Sequence, residues 1–220
     1  MQTNTLTTTF FTLFTIIFIA VFPHLGLITF FPMIYTVPVI LLVWLNLKIN
    51  KESFSDINFR FKDINFKSFI IGILTAILIY LFMRHIFFPF LELFITFKEA
   101  DVDLYNDLRE KGTTYYLIIL VLGWIVGGFY ESIVFHAFTF SQLEKIIDGK
   151  YKTVISFMIT SLIFGVYHYQ LGTADMINAF VIGIIYLGMF LFYKRNLWNT
   201  IFCHGAYNTI AITLLHLGYI

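Results

Sequence analysis

Four polar side chains in the second half of the chain have types that can do acid–base chemistry or hold a polar ligand: Glu131, His168, His204 and Asn208. Each sits in an otherwise apolar stretch. A carboxylate or an imidazole can take a proton from water, and imidazole and carboxamide N–H groups can donate to a developing oxyanion. An ionisable group inside a membrane span costs about 2.5–3.5 kcal/mol by insertion scales, so such residues are functional candidates by default.

Their spacing allows them to meet. The turn after the helix that carries Glu131 centres near residues 149–150, about 18 residues beyond Glu131 and about 18 before His168. At ~1.5 Å per residue, the two stand at one level across an antiparallel hairpin. His204 and Asn208 are i,i+4 and share a helix face. Ser132 and His136 also share a face, turned ~100° from Glu131. Cys203 adjoins His204, but consecutive residues diverge by the same ~100°, which argues for core placement rather than a Cys–His dyad.

The elements that hold these residues are membrane helices. The 220 residues are 59% hydrophobic and 12% charged, with mean hydropathy +0.85. Soluble domains run near 25% charged, so this surface needs lipid as its solvent. Apolar runs bounded by charge predict an all-α polytopic bundle of about seven spans. They cover roughly 8–22, 27–47 and 68–94, then start near 114 and 153, then cover roughly 175–193 and 197–216. The chain reads as one membrane domain, with 1–112 as N-terminal helices and loops and 113–216 as the core with the chemistry. Arg84 and His85 interrupt the third span with no evident role. The stretch near 138–150 reads as interfacial surface, Gly127-Gly128 as either a point of close helix approach or a loosening of its helix, and the many Phe and Tyr residues as lipid-facing and belt positions.

Ten of the fourteen Lys and Arg residues fall in three alternate loops: Lys48 to Lys67, Lys145 to Lys152, and Lys194-Arg195. The positive-inside rule therefore predicts a cytoplasmic N-terminus and an outside C-terminus. The core is expected to open to the basic side. A net charge of +1 argues against nucleic acid as a partner. A lone cysteine excludes an internal disulfide, and the N-terminus lacks the basic region of a signal peptide.

At these residues the chain resembles the CPBP family of intramembrane proteases, which includes CAAX prenyl endopeptidases and bacteriocin-processing or self-immunity (Abi) proteins. Phe164-Gly-Val-Tyr-His168 and His204-Gly-Ala-Tyr-Asn208 match its second and third motifs. The first motif, Glu-Glu-x-x-x-Arg, is partial: Glu131 is present, Ser132 stands for the second Glu and His136 for the Arg. That joint change reads as replacement of a structural pair by one that can still hydrogen bond. The resemblance covers about residues 120–215. It implies that Glu131 and His168 hold and deprotonate water while His204 and Asn208 bind the oxyanion. The implied substrates are membrane-associated peptides or lipidated protein tails, in an integral membrane protein of a bacterial plasma membrane.

Metal-free catalysis with no cofactor is the expectation. A zinc set of Glu131, His168 and His204 is the alternative, against which stands the lack of a His-Glu-x-x-His helix. Two other classes remain open: a catalytically silent binding or self-immunity protein, and a proton-coupled transporter. The last predicts repeat symmetry between halves, and none is visible.

Overall fold

A computed structural model describes residues 5–25, 35–95 and 103–219. The expected start of the second span near 27, and Lys98, Glu99 and Asp101 of the acidic loop, lie outside the described residues. Eight helices follow in order: α1 Thr5–Val21, α2 Thr36–Ile49, α3 Phe66–Glu92, α4 Asp103–Glu110, α5 Gly112–Ile146, α6 Lys152–Tyr167, α7 Thr173–Phe192 and α8 Leu197–His216. The all-α polytopic membrane bundle is as the sequence predicts.

Among the described residues, five helical stretches are long and apolar enough to cross a bilayer: Leu6–His24, Phe66–Glu92, Gly112–Ile146, Lys152–Leu171 and Thr173–Phe192. The remaining two expected spans differ in instructive ways. Helix α2 has only 14 residues. Helix α8 has 20 but carries Asn199, His204 and Asn208, which lower its apolarity.

The bundle is apolar outside and partly polar inside, as a lipid solvent requires. Leu41, Leu78, Val121 and Leu162 are exposed, whereas Asn46, Ser132, Thr139, Ser156, Thr160 and Thr200 are fully buried. The Asn46 amide donates to Thr15 (3.1 Å) and Thr12 (3.3 Å) and ties α2 to α1. The aromatic residues divide: Phe10, Phe66, Phe94 and Phe192 are exposed, as expected. Phe135, Phe138, Phe140, Phe164, Tyr167 and Tyr186 are buried in the core rather than turned to lipid. Edge-to-face pairs such as Phe135–Tyr167 at 4.8 Å hold these rings against one another in the core. Of the stretch near 138–150, residues 138–143 are buried, against expectation, while 144–150 is half-buried or exposed, as a surface segment should be.

All three basic loops gather at one end of the bundle. Glu52 accepts from Gln142 and Lys145. Arg195 bonds Glu144 through two nitrogens, at 2.7 and 3.0 Å, and Glu144 also accepts from Thr153. Asn196 reaches the Asp63 carbonyl and Ser68, and the Trp198 indole donates to the Arg60 carbonyl. In the same region the Ser53 hydroxyl and amide donate to Asp56 and hold its carboxyl below the usual carboxylate range.

Two helices are wound wider than an α-helix. Met83–Phe87 in α3 forms a π-turn at Arg84-His85, which places the unexplained polar pair. In α5 the wide winding runs from Gly123 to Thr139, and the Thr139 hydroxyl donates to the carbonyl five residues back, at Val134. Such segments cluster at functional sites.

Candidate active site

The wide segment of α5 presents Glu131 to two imidazoles. Glu131 Oε2 lies 3.7 Å from His168 Nε2 and 3.6 Å from His204 Nε2. His168 caps the C-terminal end of α6, and His204 lies in the middle of α8. The hairpin level expected from spacing therefore holds, even though α5 is not regularly wound. Glu131 and His204 are buried, at 6% and 5% exposure.

Asn208, one turn beyond His204, donates from Nδ2 to the Gly123 carbonyl at 3.0 Å. All four expected residues line one cavity of about 330 Å³. Close helix approach builds it. A Cβ on Gly205 of α8 would run into the Trp124 ring of α5, and the Trp124 indole donates to Thr209 of α8. A Cβ on Gly127 would collide with Asn208 Nδ2 and come within 3.2 Å of His204 Nε2. Both donors therefore border the space that Gly127 leaves open.

His168 has a defined tautomer. Its Nδ1 lies 2.8 Å from the Phe164 carbonyl, which can only accept, so Nδ1 carries the proton. In the neutral ring, Nε2 then presents its lone pair towards Glu131. The first residue of the Phe-x-x-x-His motif thus fixes the last through its backbone, and Phe164's ring lies 4.7 Å from the imidazole.

Ser132 and His136 do not line the cavity, in keeping with their separate face. The hydrogen bond expected between them is absent. The His136 ring is held edge-on by Phe164 (5.1 Å) and Tyr186 (5.5 Å), and both its nitrogens and Ser132 Oγ are buried without partners. Cys203 is fully buried beside the α3 backbone at Gly72 and takes no part.

Sequence reasoning missed Tyr35, Tyr186 and Asn178, which also line the cavity. Tyr35 comes from the start of α2, and the Tyr167 hydroxyl donates to its hydroxyl at 2.6 Å. Nothing in the spacing of the first hundred residues marks it. The direction of opening also needs correction. The lining residues run from about the middle of each helix to its end away from the basic loops, with Gln170, Leu171, Asp175 and Leu215 at the rim. The cavity opens opposite the basic end, because the buried aromatic residues of α5 to α7 fill the inner half.

Among the described residues, no group of three or more His, Cys, Asp or Glu side chains is arranged to hold a metal ion.

Fold and site together define a polytopic helical membrane protein with a carboxylate, two imidazoles and a carboxamide around one cavity. Residues 113–210 match the model of a protease family, the type II CAAX prenyl endopeptidases, Rce1-like. The segment carrying the motifs is thus similar to that family, in keeping with the resemblance to the CPBP intramembrane proteases. No curated protein matches the chain. No solved structure matches it either.

Proposed function

We propose that the protein is an intramembrane endopeptidase that hydrolyses membrane-associated peptides with a water activated by Glu131 and His168. The observation that carries this reading is the convergence of two imidazole nitrogens on one carboxylate oxygen, at 3.6 and 3.7 Å. Those separations exceed direct hydrogen bonds and suit a bridging water. Such a water donates one proton to Glu131 and the other to the bare Nε2 of His168. As its oxygen attacks the peptide carbonyl, the proton passes to the base, and a protonated group later supplies the leaving amine. His204 Nε2–H and the second N–H of Asn208 border the Gly127 notch and serve the oxyanion. The match of residues 113–210 to the Rce1-like family model supports the reaction class, and the substrates are then lipidated tails or other peptides presented at the membrane.

A second reading is a catalytically silent binding or self-immunity protein. It is favoured by Ser132 and His136, buried and unpartnered where the resemblance has a Glu and an Arg.

The test is cleavage of a library of prenylated and leader-type peptides by purified, detergent-solubilised protein. Glu131→Gln and His168→Ala are each expected to lower the rate by about 10²–10⁴-fold, with no effect of chelator on wild type. Loss on chelation with recovery on adding zinc would replace the metal-free mechanism. No cleavage by folded wild type would favour the silent protein.

A further inference from the structure

The direction in which the cavity opens narrows the substrate class, given the peptidase reading above. The helices line it from about their middles to the ends away from the basic loops: Ile119 to Glu131 in α5, Phe164 to Leu171 at the end of α6, Asp175 to Tyr186 in α7, and His204 to Leu215 in α8. Leu108 of α4 lies across the same end, with its carbonyl 2.7 Å from His216 Nδ1. Towards the basic end the interior is filled. Phe135, Phe138, Phe140, Phe190, Leu197 and Ile201 have no exposed surface, and the Arg195–Glu144 and Lys145–Glu52 pairs clamp the helices beneath them. A peptide arriving from the basic side would have to breach a close-packed layer, and interiors of that density do not yield passively.

Basic loops mark the cytoplasmic face. We propose that the site takes its substrate from the extracytoplasmic face: a peptide in the outer leaflet, or the outward end of a membrane-inserted segment, rather than a cytosolic tail. The walls suit such an extended, amphipathic chain. One side is apolar, with Ile119, Leu122, Ala211 and Ile212, and the other is polar, with Gln170, Asp175 and Asn178. An apolar side chain next to the scissile bond fits the first wall, while the flanking backbone meets the second.

The chain offers a clean probe, because its one cysteine, Cys203, is fully buried. Gln170→Cys at the rim and Lys150→Cys in a basic loop would be treated, in intact cells, with a membrane-impermeant maleimide. Labelling of Gln170→Cys before lysis, and of Lys150→Cys only after it, is expected. The reverse pattern, or labelling of both before lysis, would overturn the proposal. A second arm uses proteoliposomes sorted by the Lys150→Cys label alone, with Gln170 unchanged, and a fluorogenic peptide supplied to one face. Cleavage when the peptide meets the rim face, lost in Glu131→Gln, is expected; cleavage only from the basic face would overturn it. An outward rim with no cleavage from either face would overturn the peptidase reading instead, so the two failures are distinguishable.

Discussion

Asn208 carries two amide hydrogens and its environment divides them. One is spent on the Gly123 carbonyl, which fixes the carboxamide plane, and the other is left for the cavity. Asn208→Ala therefore removes both the anchor and the donor, and an oxyanion donor is typically worth ~10²–10³ in rate. A loss of that size, with KM little changed, is the expected result in steady-state kinetics. Gly127 offers a sharper test because it touches no substrate through a side chain of its own. The methyl of Gly127→Ala would occupy the place of Asn208 Nδ2 and crowd His204 Nε2. A comparable loss, of about 10²–10³-fold, is expected for Gly127→Ala. Gly128→Ala, whose nearest neighbour is Gly205 Cα at 3.4 Å, should keep its activity. If both alanine variants are equally active, the notch is not part of the site.

Elements explain which parts of this arrangement were legible beforehand. Glu131, His168, His204 and Asn208 could be read because each breaks an apolar helix, and because hairpin symmetry and the i,i+4 rule survive modest changes in winding. The π-winding of α5 could not be read, since no residue type from Gly123 to Thr139 demands it. The closed inner half was missed for a related reason. Phe138, Phe140 and Phe190 look alike in sequence whether they face lipid or core, and only their ring partners decide. Charged loops were read correctly as one end of the bundle, but not as a clamp. Glu144 accepts a two-pronged bond from Arg195, joining the end of α5 to the turn between α7 and α8. Hydrogen bonds to charged groups are worth ~1.5–3 kcal/mol. Arg195→Ala is expected to lower thermal stability in detergent by about 2 kcal/mol on that scale. Arg195→Lys should recover only part of it, because an ammonium cannot span both oxygens. Equal stability of wild type and Arg195→Ala in a thermal melt would remove the clamp from the account.

At the scale of the whole molecule, the Rce1-like match begins at residue 113, which invites treating the first 112 residues as an appendage. The contacts argue otherwise. Tyr35 lines the cavity from α2 and shares a hydrogen bond with Tyr167, the residue before His168. Helix α3 lies so close to α8 that a Cβ on Gly72 would stand 2.8 Å from the Cys203 backbone nitrogen, one residue from His204. The Arg60 and Asp63 carbonyls receive Trp198 and Asn196 at the start of the same helix. The N-terminal helices thus set the position of α8, and α8 carries half of the candidate site. The segment 113–220 produced alone is expected to give no cleavage and a broadened thermal transition. Co-expression with 1–112 as a separate chain should restore both, because association of apolar helices in a bilayer needs packing partners rather than a continuous chain. Full activity from 113–220 alone would show that the core positions α8 by itself.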